Sequence, residues 1–360
     1  MQSTSNTHVV HVVESFAAGC LHAIATICHS ARDGIRHSIV HGLRSETPKN
    51  FLRLFPDDCC FYYLPMTREI RVTSDIQAIV QLVMLLKRIK PDVVHAHSSK
   101  AGVLGRFAAF VLGIPSAYTP HGYAFLRPDI SLPARVCYKW IEWIFSHVTN
   151  RIVACGAEEY AVALRMTNFS SKIIYIANAI NCDPLPPQPP PEKHGLLTGT
   201  CGRFCEERSP HLFAAIASNL QDLSQWIWIG AHEGNAIPTH VQRTGWLDRV
   251  EVLRRLASLD VYVQTSSLEG QSLSLLEAMW LGKPVVVTDI PSNRAVVQHG
   301  VTGLLGKSEK ELVAHVRFLL KNASLRKDMG MAARQYVLKY HDPARCGADY
   351  IRLYRTQTGV

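Results

Sequence analysis

Short apolar runs and amphipathic stretches alternate along almost the whole chain. The run HVVHVV at 8–13 is nearly continuous in apolar residues and reads as a buried strand. Ala17-Ala18-Gly19 then makes a tight turn into a helix from about Cys20 to Arg32, and residues 36–40 form the next strand. Further strands are predicted at 59–64, 92–95, 116–119, 151–154 and 172–176, with helical patterns at 75–89, 99–112, 131–148 and 156–166 between them. Strands alternating with helices of this length predict a doubly wound parallel sheet of the α/β class.

The pattern breaks at 183–191, where six prolines exclude a helix or a central strand and predict a stiff extended linker. Beyond it the alternation restarts: strands at 196–201 and 225–230, helices near 209–220 and 247–257, then strands at 260–265 and 283–289 flanking a helix. Two doubly wound domains are therefore expected, over 1–181 and 195–341, joined by a linker at 182–194. The last segment, 342–360, is an amphipathic helix carrying Tyr350, Leu353 and Tyr354. No internal repeat is present.

Composition changes this picture little. With 360 residues, 47% hydrophobic and 19% charged, the chain can build two ordinary cores. Its ten cysteines show neither paired spacing nor C-x2-C, so they read as reduced thiols and no metal site is expected. The first seven residues are polar and uncharged, and no apolar stretch reaches the length of a membrane span. A cytoplasmic protein is the expectation. The net charge of +9 suits an anionic partner, either a diphosphate or an anionic lipid surface. Nucleic acid is not expected, because there is no basic run and no nucleic-acid-binding motif.

The chemistry concentrates at 267–289. Glu269 and Glu277 stand eight positions apart across a loop that opens a helix. Ser274-Leu275-Leu276-Glu277 fits the S-x-x-E capping box, so the helix is expected to begin near Ser274. Its first amides, near Leu275, favour an anion such as a diphosphate. Glu277 taken singly reads as a capping glutamate. Glu269, followed by Gly270 in a loop, supports no helix or strand, and open parallel sheets bind ligands along this edge.

Four more segments sit just past predicted strands. Arg203 and Arg208 flank a loop where guanidinium forks could clamp phosphate oxygens, with Ser209 expected as N-cap and Pro210 as the first helical residue. Gly19 lies in the first strand-to-helix turn, where a small residue lets amides approach a phosphate. The G-x-G-x-x-G of a hydride-transferring dinucleotide enzyme is absent there. His95, His97 and Lys100 follow one strand and His121 another, while Trp246 and Leu247 follow a strand of the second half. The helix around 134–145 mixes aromatic and basic residues; core packing accounts for most of its aromatics, and an interfacial membrane contact is the alternative.

The run from Ser267 to Asp289, with its E-x7-E spacing, Glu-Ala-Met and Gly-Lys-Pro, closely resembles glycosyltransferase family 4, the retaining enzymes of GT-B fold. The His-x-x-Lys-Ala-Gly-x-x-Gly-Arg run at 97–106 and Thr119-Pro-His-Gly-Tyr-Ala-Phe125 resemble its capsule and exopolysaccharide branch. The resemblance spans His11 to Tyr354. It implies two Rossmann-like domains with a ligand cleft between them and the last helix returning to the first domain. It also implies transfer of a sugar from a nucleotide diphosphate, UDP favoured over GDP, to a polyprenyl-diphosphate-linked glycan. The nucleotide-sugar is then a co-substrate, and neither cofactor nor metal is implied. Arg203 maps onto the family's phosphate-binding arginine and Arg208 onto its lysine. Gly19 maps onto a phosphate-contacting glycine whose usual partner is replaced by Ala18. Glu269 would grip the donor sugar, Glu277 the ribose, and Gly270, Ser274, Leu275 and Leu276 would line the donor; Trp246 and Leu247 would flank the nucleobase. His121 would sit over the transferred sugar, with His97 and Lys100 on the acceptor side. A lipid-linked acceptor implies peripheral contact with the anionic inner membrane. Ala295, where many relatives carry glutamate, departs from the pattern. Two rivals remain, a UDP-sugar 2-epimerase of the same fold and a non-catalytic sugar-nucleotide-binding protein.

Overall fold

The computed structural model describes residues 6–67, 71–181, 195–232 and 234–358. In chain order the elements are β1 (Thr7–Val13), α1 (Ala18–Ser30), β2 (Ile35–His41), β3 (Cys60–Tyr63), α2 (Val72–Ile89), β4 (Val93–His97), α3 (Ser99–Leu112), β5 (Ser116–Thr119), α4 (Leu132–Val148), β6 (Arg151–Ala154), α5 (Ala157–Met166) and β7 (Ile173–Tyr175). There follow β8 (Leu197–Cys201), α6 (Pro210–Asn219), β9 (Gln225–Ile229), β10 (Val241–Arg243), α7 (Arg249–Ser258), β11 (Val261–Gln264), α8 (Leu273–Trp280), β12 (Val285–Thr288), α9 (Pro291–Arg294), β13 (Gly303–Gly306), α10 (Glu309–Lys321), α11 (Ala323–Tyr340) and α12 (Pro343–Thr358). The chain divides into two compact units, one of residues 1–179 with 343–360 and one of 180–342. The expected linker at 182–194 lies outside the described residues.

The first unit is built on a seven-stranded sheet in the order β3-β2-β1-β4-β5-β6-β7, parallel throughout. Successive side chains of a strand point to opposite faces. Val10, Val12 and Val94 therefore pack with Leu82, Leu86 and Leu104 of α2 and α3, while Val9 and Val93 pack with Tyr350, Leu353 and Tyr354 of α12. The chain order reverses between β1 and β4, which makes the carboxyl ends of those two strands the switch point where such sheets open a crevice.

The second unit carries a six-stranded sheet in the order β10-β9-β8-β11-β12-β13, again parallel. One face packs Leu197, Ile227 and Val285 against Leu275, Leu276 and Met279 of α8; the other packs Trp226, Trp228 and Val261 against Phe213 and Leu312. Its switch point lies between β8 and β11. Each expected strand and helix of 36–289 has its counterpart within a few residues.

Two helix starts differ from expectation. The N-cap of α8 is Ser272, whose side chain accepts from the Leu275 amide, so Ser274 lies inside the first turn and Glu277 is no capping-box partner. Ser274 instead hydrogen-bonds the Cys201 carbonyl at 3.0 Å and lies 3.1 Å from the Tyr262 hydroxyl, tying α8 to the ends of β8 and β11. Ser209 precedes Pro210 as expected but makes no side-chain cap. Its φ of 46° turns the backbone left-handed; its amide donates to the Glu206 carbonyl of the preceding turn, while its own carbonyl accepts from the Leu212 and Phe213 amides of α6.

Candidate active site

In the second unit, the loops after β8 and β11 are stapled to each other. The Ser267 amide donates to the Glu207 carbonyl at 2.8 Å, and the Thr265 hydroxyl donates to the Arg208 carbonyl at 2.8 Å. This brings the Arg208 guanidinium to Glu269, Nη2 to Oε1 at 3.4 Å, while Nη1 donates to the Cys201 carbonyl at 2.9 Å. The Ser266 hydroxyl donates to the same Glu269 oxygen at 2.8 Å. Gly202 makes the packing feasible: its φ is 140°, and a Cβ there would stand 2.4 Å from Arg208 Cζ. Burial works against the charge on Arg208, but Glu269 and its other neighbours raise its pKa overall, so it is a permanent cation. Arg203 is exposed, and its side chain has no hydrogen bond or ion pair to a described residue.

Glu277 is buried and ion-paired with Arg249, the first residue of α7. Nothing in the spacing of the sequence signals Arg249, because the partner comes from another helix. Leu275 and Leu276 are core residues, so only the backbone of the first turn of α8 is available to a ligand there. Gly270 and Leu247 are partly buried, and Trp246 is exposed, with its ring 6.3 Å from that of His232. Arg203, Arg208, Glu269, Gly270 and Ser274 thus share the carboxyl edge of β8 and β11, with Trp246 and Leu247 on the loop after β10.

In the first unit, Gly19 is exposed in the first turn of α1, a helix with no side-chain cap. The strained position is its neighbour: Ala18 has φ 46°, where glycine would be at ease. Glu14, buried at the end of β1, accepts from the Ala101 amide at 3.1 Å and from the Ser98 hydroxyl, locking the β1 and β4 loops together. Lys100 is ion-paired with Asp75 of α2 at 2.6 Å, a partner the sequence did not indicate. His97 is fully buried, and its Nδ1 lies 3.1 Å from Nε2 of the partly buried His121. His121 itself has φ 50°, and the following Gly122 amide donates to buried Glu159 of α5, which also accepts from the Cys155 amide and thiol at 3.0 Å each. Burial raises the Glu159 carboxyl above the usual range and lowers His121 to about 4. The contacts of Glu14, Glu159 and Arg249 become visible only once the strands are paired.

No metal site was expected, yet two buried groups could supply ligand atoms: His11, His95 and His97, and His11, Cys28 and His37, each with atoms within 4.8 Å of one another. The helix α4 also departs from expectation. Its buried residues are Glu142 and Ser146, while Trp140 is 58% exposed and Trp143 lies outside the core as well. Among the described residues no helix is long and apolar enough to cross a membrane.

The arrangement can hold an anion against fixed cations and helix-start amides while carboxylates grip hydroxyls, the needs of a diphosphate-linked sugar. Comparison with known proteins agrees. The model of the Glycosyltransferase Family 4 domain matches residues 6–184, and that of Glycosyl transferases group 1 matches 233–336. The UDP-Gal:alpha-D-GlcNAc-diphosphoundecaprenol alpha-1,3-galactosyltransferase of Escherichia coli is 28% identical over 273 residues, covering 68% of this chain and 70% of that protein. The capsular polysaccharide biosynthesis glycosyltransferase CapM of Staphylococcus aureus is 22% identical, covering 77% and 80%. In fold, the chain resembles Anabaena Alr3699/HepE, solved in complex with UDP-glucose, at a TM-score of 0.81 and 14% identity over 97% and 99% of the two chains. Sucrose-phosphate synthase from Thermosynechococcus elongatus aligns at a TM-score of 0.79 and 15% identity, covering 98% and 99%. With both halves matched by glycosyltransferase domains and two parallel-sheet units in GT-B form, the chain belongs to glycosyltransferase family 4 and is a glycosyltransferase.

Proposed function

We propose that the protein transfers a hexose-type sugar, with retention of anomeric configuration, from a UDP-sugar to a polyprenyl-diphosphate-linked glycan in bacterial surface polysaccharide assembly. The observation that carries the reading is the Arg208–Glu269–Ser266 cluster at the carboxyl edge of β8 and β11, beside the start of α8. The breaking bond leaves negative charge on the departing nucleotide, and stabilising that charge is the main catalytic task. In the second unit, Arg203, Arg208 and the amides at the start of α8 supply positive potential; in the first unit, Gly19 at the start of α1 takes the phosphate-contacting role that the family resemblance gives it. Glu269 accepts from sugar hydroxyls and Glu277 with Arg249 addresses the ribose; in the first unit, His121 takes the sugar-contacting role that the family resemblance gives it. The donor and acceptor classes are supported by the E. coli relative, whose name specifies both.

Incubating the protein with a panel of UDP- and GDP-sugars and a polyprenyl-diphosphate-linked acceptor is expected to extend the glycan by one sugar. Nucleotide release should match, with a UDP donor preferred and the donor's anomeric configuration kept in the product. A free epimerised sugar nucleotide with no extended glycan would favour the epimerase instead. A chelator arm shows whether the arginines suffice without a divalent cation.

Access to a lipid acceptor is assigned to α4. Leu132, Val136, Trp140 and Ile144 project at helical spacing and are exposed, with Arg135 and Lys139 exposed beside them. An apolar stripe flanked by cations suits the interface of an anionic bilayer. Phosphatidylglycerol vesicles are expected to sediment the protein, and Trp140→Ala with Trp143→Ala should weaken that binding at least about 10-fold, the scale of losing buried aromatic area. Equal sedimentation of the double variant would rule this face out.

A further inference from the structure

The face of the first sheet that meets α12 holds polar residues that neither the core nor the proposed transfer uses. His11 on β1, His37 on β2 and His95 and His97 on β4 all lie on it, because His11 pairs in register with His95, and His37 with Val9 two places before His11. They form a continuous hydrogen-bonded chain. His37 Nε2 stands 2.8 Å from the Ala31 carbonyl, and His37 Nδ1 3.0 Å from His11 Nε2. His11 Nδ1 stands 2.9 Å from His97 Nε2, and His97 Nδ1 3.1 Å from His121 Nε2. His95 buttresses the chain, its ring 4.0 Å from that of His97 and its nitrogens bonded to Tyr354 and Thr119 at 2.8 and 2.9 Å.

The end group sets the direction of every bond. A carbonyl only accepts, so His37 Nε2 must carry its proton. A neutral imidazole has one N–H, so His37 Nδ1 accepts from His11 Nε2, His11 Nδ1 accepts from His97 Nε2, and His97 Nδ1 accepts from His121 Nε2. Desolvation keeps the rings neutral, with His11 and His97 held well below the ordinary histidine range. The last member is therefore left with a bare Nδ1.

We infer that His37, His11 and His97 are positioning residues for His121, fixing its Nε2–H tautomer and its ring so that Nδ1 is presented as an acceptor for a hydroxyl of the bound sugar. This rests on the reading of His121 as the group over the sugar. It adds that the contact runs from sugar hydroxyl to imidazole, and that its polarity is set at Ala31, beyond three intervening histidines. The potential ion site of His11, His95 and His97 competes with this arrangement, since the nitrogens of His11 and His97 that a metal would take are those that make the chain.

The test is selective 15N-histidine labelling of the full chain, with resonances assigned by single substitutions. The expected result is one Nε2–H tautomer for His37, His11, His97 and His121, with a bare-nitrogen signal at each Nδ1. His37→Leu removes the anchor and should give His121 a mixed tautomer, with kcat about 10-fold lower, the scale of losing an outer partner of a functional imidazole. KM for the donor should change less. His37→Gln, which still offers one donor and one acceptor, should restore both the tautomer and most of kcat. A protonated Nδ1 on His121 in the unaltered protein, a tightly bound stoichiometric metal ion, or an unchanged His121 signal in folded His37→Leu would each overturn the inference. Should His37→Leu fail to fold, the spectrum of the unaltered protein and the behaviour of His37→Gln still decide it. If the tautomers are as stated but His121→Ala transfers sugar normally, the chain stands and the role of His121 over the sugar falls.

Discussion

Replacing Glu269 by alanine is expected to lower kcat/KM for sugar transfer by about 1,000-fold while the protein stays folded. Two losses combine. On the proposed role of Glu269, the carboxylate no longer accepts from the donor sugar, a charged hydrogen bond of about 1.5–3 kcal/mol. Arg208 also loses the anion that holds its Nη2 at 3.4 Å, so the cation proposed to face the departing diphosphate drifts. Removing one pre-placed group that stabilises transition-state charge typically costs about 100- to 1,000-fold. The fold should survive, because Glu269 lies in a loop held independently by Ser267 and Thr265 on the loop after β8. Glu269→Gln keeps the shape and loses the charge, and an intermediate loss of about 100-fold is expected. Steady-state kinetics with a thermal melt decide the matter; a folded alanine variant with undiminished turnover would remove Glu269 from the mechanism.

The largest effect on stability is expected at Glu142. Arg106 of α3 is fully buried, with Nε donating to the Gly102 carbonyl at 2.8 Å, Nη2 to Glu142 at 2.9 Å, and Cζ 3.8 Å above the Tyr118 ring. The Tyr118 hydroxyl donates to the other Glu142 oxygen at 2.7 Å. Arg106 Nη1 has no hydrogen-bond partner among the described residues, so the carboxylate is the main compensation for a buried cation. Glu142→Ala strands that cation and the tyrosine hydroxyl together, at about 3–5 kcal/mol. In a unit of this size the melting temperature should fall by about 10 °C. Replacing the pair with Arg106→Met and Glu142→Leu should recover much of the loss, since the ion pair is costly to desolvate and its rupture is the larger penalty. An unshifted melt for Glu142→Ala would contradict this account.

Much of the architecture was legible beforehand because strand and helix periods are local. Nearly continuous apolar runs such as 8–13 and 261–264 need only their own residues to declare a strand buried on both faces. The glutamate pair with its flanking residues was legible for the same reason, being a contiguous stretch. Capping was less so. Ser272 and Ser274 both precede apolar helical positions, and the choice between them fell to Cys201 and Tyr262, which hold Ser274 from other strands. In α4 the periodicity was correct and the burial inverted, because Arg106 requires Glu142 inside and so turns Trp140 outward.

Local patterning of apolar and polar residues thus settled the class of fold, the strand and helix inventory and the loops that carry the candidate chemistry. Strand register and loop docking settled the rest, because a hydrogen bond between residues dozens of positions apart leaves no local trace. Arg249 with Glu277, Glu14 with the β4 loop, and Glu159 under His121 are of this kind. So is the histidine chain: each of its members reads singly as a polar residue beside an apolar strand. Only the parallel pairing of β1 with β2 and β4 lines up three strands so that one carbonyl can set the protons of four rings.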